Sequence, residues 1–270
     1  MQLPLSAAVA ARLEILDVCG STNTELVARA SAADGENWPD FSVVVTGNQT
    51  DGRGRLGRVW VAPRGQTLAI SVLLRPRLPT GEPLGMDHFG WLPLIAGVAM
   101  TTAVAPLVPT HSVRLKWPND VLIDGRKVSG LLAELLSIGR AVVMGAGLNL
   151  TITEADLPTP SSTSLALNDP ILLGAELADR ALAGYLTELG RLYTNFLRFG
   201  ADPESSGVAQ RLRDLCSTIG SQVRVQLPGG GELVGTAIGI DGSGRLSVKK
   251  ASDGRVVAVA AGDVTHLRYE

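Results

Sequence analysis

The stretch from Thr50 to Trp60 combines residue types that bind anions. It interleaves Gly52, Gly54 and Gly57 with three arginines and ends in an aromatic residue. Glycine lets the backbone approach a ligand closely, and each guanidinium is a permanently charged, planar donor that suits a carboxylate or a phosphate. Short Gly/Arg runs also occur in surface turns and in nucleic-acid contacts. Taken alone, the stretch leaves all three interpretations open.

Lys116 is a second candidate for chemistry on an anion. It stands between the apolar residues Leu115 and Trp117 in a strand pattern. A compact ammonium there can stabilise the charge shared by a carboxylate and a phosphate while a bond forms between them. The alternative is an edge-strand lysine whose stem covers apolar surface and whose charge reaches solvent.

Two further groups of residues suit a bound ligand. Ser21 or Thr22 is expected to cap a helix, although the same hydroxyls and the unpaired N–H groups of the first turn could bind a polar ligand instead. Three glycines stand inside predicted strands, where glycine marks the close approach of a backbone or a ligand. They are Gly130, Gly145 and Gly147.

The elements around these residues predict an α+β fold. Apolar leucines at helical spacing predict a long helix over residues 171–199, and the chain after residue 218 alternates short strands with Gly-rich turns, a pattern typical of a small barrel. We therefore expect two domains, over residues 1–218 and 219–270. Predicted strands cover residues 13–18, 42–46, 59–62, 67–75, 113–117, 121–123, 128–134 and 141–150, with a buried helix over 87–107. The segment 151–168 is either a lid over the site or a surface loop.

Composition limits the classes of function. A chain of 270 residues with 45% apolar residues can bury a sizeable core, and a formal net charge of -2 argues against bulk attraction to nucleic acid or to an anionic membrane. Cys19 and Cys216 match no metal-ligand spacing, so we expect reduced core thiols. The N-terminus lacks a basic leader and no stretch is expected to span a bilayer, which predicts a cytoplasmic protein.

Five motifs follow one another along the chain, and their combination is far more specific than any one of them. They are Ser21-Thr22-Asn23; Gln49 with Gly52-Arg53-Gly54-Arg55-Leu56-Gly57-Arg58; Lys116-Trp117-Pro118-Asn119-Asp120; Lys127-Val128-Ser129-Gly130-Leu131-Leu132-Ala133-Glu134; and Gly145-Ala146-Gly147-Leu148-Asn149. In this order, and with Thr163-Ser164-Leu165 after them, they resemble the motifs of the bacterial biotin protein ligases.

The resemblance implies a fold and a reaction. The fold would be a catalytic domain similar to class II aminoacyl-tRNA synthetases, a mixed β-sheet flanked by helices, followed by an SH3-like barrel. The enzyme would join biotin to ATP as biotinyl-5′-AMP, with Mg²⁺ accompanying the ATP. It would then transfer biotin to one lysine of the biotin carboxyl carrier domain of an acyl-CoA carboxylase.

The resemblance also implies roles for individual residues. Lys116 and Arg55 would act in catalysis, with Lys116 contacting both carboxylate and phosphate oxygens. Biotin would be bound by Ser21, Thr22, Asn23, Gln49, Gly52, Arg53, Gly54, Arg55, Lys116, Gly130, Leu131 and Leu132. ATP or the adenylate would be bound by Arg53, Arg55, Arg58, Trp60, Lys116, Asn119, Asn149 and Arg268. No dedicated protein site for a metal is expected.

Two departures from the family pattern narrow these expectations. Leu56 stands where the family often has arginine, so the loop carries one positive charge fewer. The motifs begin at Ser21, so we expect a monofunctional enzyme without an N-terminal DNA-binding domain. We also expect a monomer or weak homodimer, with neither DNA nor a membrane as a partner. Two rival functions remain, a lipoate or octanoate ligase and a non-catalytic phosphate- or RNA-binding module. The Ser-Thr-Asn group and Gln49 favour biotin, because the lipoate ring has no ureido group to hydrogen-bond.

Overall fold

The computed structural model describes residues 1–61, 63–136, 140–169, 175–227, 230–260 and 263–267. Within these ranges one sheet contains seven strands. They are β1 (Arg12–Leu16), β2 (Ser42–Thr46), β3 (Thr67–Leu74), β4 (Val113–Lys116), β5 (Asp120–Ile123), β6 (Arg126–Leu135) and β7 (Val142–Asn149). Their order across the sheet is β1-β2-β3-β7-β6-β5-β4, with β1 and β2 parallel and all other neighbours antiparallel.

Helices cover one face of this sheet. The described part of the chain contains α1 (Pro4–Ala7), α2 (Thr22–Ser31), α3 (Trp91–Val104), α4 (Leu165–Asn168), α5 (Ala175–Arg198) and α6 (Val208–Leu215). Helix α3 packs on β4, β5 and β6 and against both α5 and α6. The helical spacing of apolar residues in α5 places Leu182, Tyr185, Leu186 and Leu189 in the core with no exposed surface.

The opposite face of the sheet is only partly covered. Because side chains alternate along a strand, Met144 and Leu148 of β7 pack in the main core, whereas Val143 faces a smaller core with Leu26 of α2. Helix α2 contacts β2, β3 and β7. Beyond it, the same face of β7 carries Gly145 and Gly147, and the missing side chains leave space on the sheet.

A second sheet follows residue 218. It contains β8 (Gln222–Gln226), β9 (Glu232–Ile240), β10 (Leu246–Lys250), β11 (Val256–Val259) and β12 (Asp263–His266), antiparallel in the order β11-β10-β9-β8-β12 among the described residues. The Trp91 indole donates a hydrogen bond to the Gly242 carbonyl over 2.8 Å, and Val223 and Val248 belong to the main core. The second sheet therefore packs against the first part of the chain.

These observations confirm the predicted α+β class, a mixed sheet flanked by helices and followed by a small β unit. The SH3-like closure of the second sheet and the division at residue 218 stay predictions. The predicted strand over 59–62 is wrong for its described residues, because Val59 makes only an isolated bridge to Arg53.

One sequence statement about membranes needs correction. The segment Met86–Leu107, with a mean hydropathy of 1.5, is long and apolar enough to cross a bilayer by length and composition. In the structure 72% of its apolar window is buried, and its helix α3 lies between the sheet and α5. The buried core helix of a folded domain can be as apolar as a membrane-spanning helix. The burial of this segment therefore accounts for its apolar composition.

Candidate active site

A cavity of about 140 Å³ lies on the face of the sheet that α2 leaves open. Its floor is formed by β3, β6 and β7, which carry small residues there: Ala69, Gly130, Gly145 and Gly147. A β-carbon on Gly145 would lie 2.9 Å from the amide nitrogen of Asn23, and one on Gly147 would lie 2.7 Å from the indole nitrogen of Trp60. The glycines thus allow side chains from outside the sheet to lie directly on its backbone.

Hydroxyl and amide groups line the end of the cavity near α2. Ser21 is the N-cap of α2, with its Oγ accepting from the Thr24 N–H over 3.5 Å, and it also lines the cavity. The Gln49 side-chain oxygen accepts from the Thr22 N–H over 2.9 Å and from the Thr22 hydroxyl over 3.3 Å. Ser21 therefore both caps the helix and lines the cavity, so the two interpretations from the sequence are compatible. Unpaired N–H groups at a helix N-terminus favour polar ligands.

Asn23 is held from both ends of its amide. Its Oδ1 accepts from the Ser71 hydroxyl over 2.6 Å, and its Nδ2 donates to Glu134 Oε1 over 2.7 Å and to the Leu132 carbonyl over 3.3 Å. Only 4% of Asn23 is exposed. A buried amide with this many partners has a fixed orientation.

Residues 53–59 form a short hairpin over the cavity, which we call the flap. An isolated antiparallel bridge pairs Arg53 with Val59, and the Gly54 N–H donates to the Arg58 carbonyl over 2.6 Å. Leu56 and Gly57 both have left-handed backbones, with φ of 56° and 74°. For Leu56 this conformation is strained, and the side chain is 62% exposed. Arg53, Gly54, Arg55 and Arg58 of the flap all line the cavity.

Arg55 connects the flap to the sheet through Asn119. Its Nη1 donates to Asn119 Oδ1 over 3.1 Å, and Asn119 Nδ2 donates to the Leu131 carbonyl over 2.9 Å. Burial lowers the pKa of the Arg55 guanidinium, while the nearby carboxylate of Asp120 acts in the opposite direction. The predicted contact residues Asn119, Leu131 and Leu132 all line the cavity.

The Trp60 indole lies across two glycines that pair directly between β6 and β7, Gly130 and Gly147. A β-carbon on Gly130 would lie 3.2 Å from Trp60 Cζ3. The indole nitrogen is buried and has no hydrogen-bond partner among the described residues. Because an indole N–H is a donor only, it is available to an acceptor on a ligand.

Among the residues that the structure describes, the lysine that lines the cavity is Lys127. Lys127 lines the cavity, its Nζ lies 2.7 Å from Asp120 Oδ1, and it stands 5.6 Å from the centre of the Trp60 ring. Lys116 is paired with Asp120 across β4 and β5 but does not line the cavity. Burial lowers the pKa of Lys116, and the neighbouring positive charges of Lys127 and Arg58 act in the same direction. The predicted contact of Lys116 with carboxylate and phosphate oxygens stays a prediction.

Two other predicted residues, Gly52 and Asn149, do not line the cavity. Asn149 does not line the cavity, because it lies beyond Gly147 on β7, where its Nδ2 donates to the Thr163 carbonyl over 2.9 Å. Gly52 is buried behind the flap, where a β-carbon would lie 2.8 Å from Gln49 Nε2. Arg268 lies outside the described residues. Gly145 and Gly147, which the sequence marked as sites of close approach, line the cavity. Residues that line it without having been predicted to do so are Val59, Ala69, Ile70, Asp120, Lys127 and Ala146.

Within the described part of the chain, no group of three or more histidine, cysteine, aspartate or glutamate side chains is placed to hold a metal ion. Asp120 is the one carboxylate among the described residues that line the cavity. Mg²⁺ is commonly bound through one or two carboxylates together with substrate phosphates. Asp120 thus fits a metal that arrives with a nucleotide.

Two protein-family models match the chain. A family model described as the biotin/lipoate A/B protein ligase family matches residues 16–149, and one described as the biotin protein ligase C-terminal domain matches residues 218–267. The chain is 41% identical to the biotin--[acetyl-CoA-carboxylase] ligase of Mycobacterium tuberculosis over 95% of this chain and 90% of that protein.

Two solved structures are similar in fold. The biotin protein ligase of Aquifex aeolicus in complex with biotin and ATP has a TM-score of 0.69 and 23% identity, covering 96% of this chain and 100% of that chain. The biotin protein ligase of Leishmania major in complex with biotin has a TM-score of 0.61 and 26% identity, covering 93% and 99%.

Proposed function

The chain belongs to the biotin protein ligase family and is an ATP-dependent biotin–protein ligase, and we propose that the cavity beneath the flap forms biotinyl-5′-AMP. One observation carries this proposal. The hydroxyl and amide groups of Thr22, Asn23 and Gln49 line the same cavity as the cationic groups of Arg55 and Lys127. Biotin has the matching pair of ends, a ureido ring that donates and accepts hydrogen bonds and a carboxylate.

The first step joins biotin to AMP. A carboxylate oxygen of biotin attacks the α-phosphorus of ATP, and the bond from that phosphorus to the pyrophosphate oxygen breaks. Negative charge increases on the oxygens around the reacting phosphorus, so cations that are already in place lower the barrier. We assign this role to Lys127 Nζ and the Arg55 guanidinium, which Asp120 and Asn119 hold in position.

The second step releases AMP. The amine of the acceptor lysine attacks the acyl carbon of the adenylate, an amide bond forms, and the bond from the acyl carbon to the phosphate oxygen breaks. The flap lies between this mixed anhydride and solvent, and its closure protects the anhydride from water until the acceptor arrives. The acceptor is a biotin domain of a carboxylase, as the relatives' names imply.

Finer parts of the function also belong to this proposal. Mg²⁺ accompanies ATP and supplies charge neutralisation on its phosphates, with Asp120 as the residue that would hold it. The acceptor is the biotin carboxyl carrier domain of an acyl-CoA carboxylase. Because ATP and that acceptor are intracellular, the enzyme acts in the cytoplasm. It acts as a monomer or weak homodimer and binds neither DNA nor membranes.

The rival acyl substrate is lipoate, which the family model's description also covers. Lipoate's dithiolane ring neither donates nor accepts strong hydrogen bonds, so it would leave the Thr22, Asn23 and Gln49 groups without ligand partners. Buried polar groups without partners cost free energy. An RNA-binding module is disfavoured because the net charge of the chain is -2, which gives no bulk attraction to a polyanion.

Exchange of labelled pyrophosphate into ATP by the purified protein tests the first step. We expect exchange that depends on biotin and on Mg²⁺, and no exchange with lipoate or octanoate in place of biotin. Exchange with lipoate and none with biotin would establish the rival. No exchange with any of these acids would exclude adenylate formation.

A further inference from the structure

Glu134 joins three parts of the proposed site. It lies at the end of β6 on the same face as Gly130 and Leu132, and its side chain is 26% exposed. Its Oε1 accepts from Asn23 Nδ2 over 2.7 Å and from Arg53 Nη2 over 2.9 Å, and its Oε2 accepts from Arg53 Nη2 over 3.1 Å. One carboxylate therefore connects the sheet, the first turn of α2 and the base of the flap.

These contacts determine which end of the Asn23 amide faces a ligand. An ionised carboxylate and a backbone carbonyl accept hydrogen bonds only, so Glu134 and the Leu132 carbonyl require the NH₂ group of Asn23 on their side. Ser71 donates to the opposite end, Oδ1. An amide oxygen has two lone pairs, so Oδ1 keeps one acceptor position for the cavity. Biotin's ureido N–H groups are the donors that match it.

The same carboxylate holds the flap. Arg53 Nη2 donates to Glu134 and to the Thr24 hydroxyl over 2.9 Å, which fixes the first strand of the flap against α2. Isolated ion pairs on a surface contribute little because solvent screens them. Here the Arg53 side chain is 43% exposed and that of Glu134 is 26% exposed, and the carboxylate is shared with the buried amide of Asn23, so the three groups form one charge-assisted network.

We propose that Glu134 is a positioning residue that orients Asn23 toward the ligand ring and couples this orientation to closure of the flap through Arg53. The proposal rests on the proposed function and adds a determinant of ring recognition to it. Removing the negative charge of Glu134 should have two consequences. Biotin binds more weakly because the Asn23 amide loses the charged acceptor that fixes its orientation together with the Leu132 carbonyl, and the adenylate escapes because the flap is held less firmly.

The test compares Glu134→Gln with Glu204→Gln. Glu204 pairs with Arg213 over 2.7 Å far along the chain, and neither residue lines the cavity. We expect Glu134→Gln to raise KM for biotin in pyrophosphate exchange by roughly tenfold or more, the scale of one lost charge-assisted hydrogen bond, while kcat changes by less than about threefold. Biotinylation of a bystander protein should increase. Glu204→Gln should match the wild type in both measurements.

A double-mutant cycle separates positioning from general destabilisation. If Glu134 acts through Arg53, adenylate escape from the double variant Glu134→Gln with Arg53→Gln should not exceed that of the more severe single variant. Additive effects would overturn the coupling, and an unchanged KM for biotin with normal adenylate retention would overturn the proposal. Should Glu134→Gln fail to fold, Arg53→Gln tests the same contact through bystander labelling.

The wild-type exchange rate distinguishes failure of this proposal from failure of the proposed function. If the wild type shows no biotin-dependent exchange, the proposed function fails, and calorimetric titration of biotin into the wild type and Glu134→Gln still makes the comparison. If Glu134→Gln binds biotin more weakly than the wild type, the result would support the claim that Glu134 orients Asn23. Equal binding would overturn it.

Discussion

The ammonium nitrogen of Lys127 lies 2.7 Å from the carboxylate of Asp120, and both residues line the cavity. Asp120 stands opposite Lys116 on β4 and opposite Gly130 on β6. Asp120 thus has Lys116 beside it on β4 and Lys127 against its carboxylate. Of these two lysines, Lys127 lines the cavity. This difference allows the two lysines to be tested as a matched pair.

We predict that Lys127→Gln lowers the rate of adenylate formation by roughly two to three orders of magnitude, the usual scale for losing one charge-stabilising donor. Lys116→Gln should lower it by less than about tenfold, because Lys116 does not line the cavity. Single-turnover formation of biotinyl-5′-AMP measures both rates. A large loss in Lys116→Gln and a near-normal rate in Lys127→Gln would restore the sequence-based assignment.

A register shift explains why the sequence did not predict Lys127 among the residues that line the cavity. Strict alternation along β6 would place Lys127 and Gly130 on opposite faces of the sheet. The pairing of β5 with β6 shifts between Val121 and Leu122, so that Leu122 pairs with Lys127. A bulge of this kind moves one side chain to the other face. Nothing in the local sequence marks it, because it depends on pairing between strands.

The groups near α2 and the flap were predictable because the residues that form them are close together in the sequence. Ser21, Thr22 and Asn23 begin a helix directly after a strand, and the glycine and arginine pattern of the flap is local in sequence. Asn149, predicted to contact the nucleotide, donates from its Nδ2 to the Thr163 carbonyl, in a segment without periodicity, and its role stays a prediction. Local chemistry was therefore readable, whereas contacts between distant segments were not.

We predict that Arg55→Gly increases escape of the adenylate. The substitution removes the hydrogen bond from the flap to Asn119 and adds backbone freedom. Bystander proteins mixed with the variant, biotin and ATP should acquire biotin on many lysines, measured by mass spectrometry. Arg64→Gly, an exposed arginine in another turn that does not line this cavity, is the control. Labelling confined to the carrier domain in Arg55→Gly would contradict a containment role for the flap.

We predict that the contact of His111 with Asp124 stabilises the protein in mildly acidic solution. His111 Nδ1 lies 2.6 Å from Asp124 Oδ2, and this hydrogen bond raises the pKa of His111 and lowers the pKa of Asp124. The histidine contribution is fully present below its unfolded pKa of about 6.5 and is lost as pH rises through the higher folded value. The aspartate contribution is present above about pH 4 and is lost as pH falls through the lower folded value.

Thermal unfolding of the wild type and His111→Asn from pH 5 to pH 9 measures this effect. The difference in Tm should be largest near pH 5.5, between the two unfolded pKa values, and should decrease toward pH 9. Asp124→Asn should remove most of the pH dependence, because the partner that raises the histidine pKa is gone. A difference that is constant over the range would show that His111 acts through packing alone.

We predict that Gly147→Ala weakens nucleotide or biotin binding without unfolding the protein. A β-carbon at position 147 would lie 2.7 Å from Trp60 Nε1, closer than packed atoms approach, so the indole would have to leave the sheet. The collision is with a half-buried side chain beside the flap, so the main core is not strained. Overpacking of about 1 to 3 kcal/mol corresponds to a KM increase of roughly 5- to 150-fold.

Pyrophosphate exchange at varied ATP and biotin concentrations gives both KM values, and Tm reports folding. Gly239→Ala is the matched control, since a β-carbon there would have no neighbour within 4 Å. Intrinsic tryptophan fluorescence should differ from the wild type in Gly147→Ala and not in Gly239→Ala, because only the first displaces the indole. Normal KM values in Gly147→Ala would mean that the position of Trp60 on the glycines is irrelevant to both substrates, and the indole would then have no place in the proposed site.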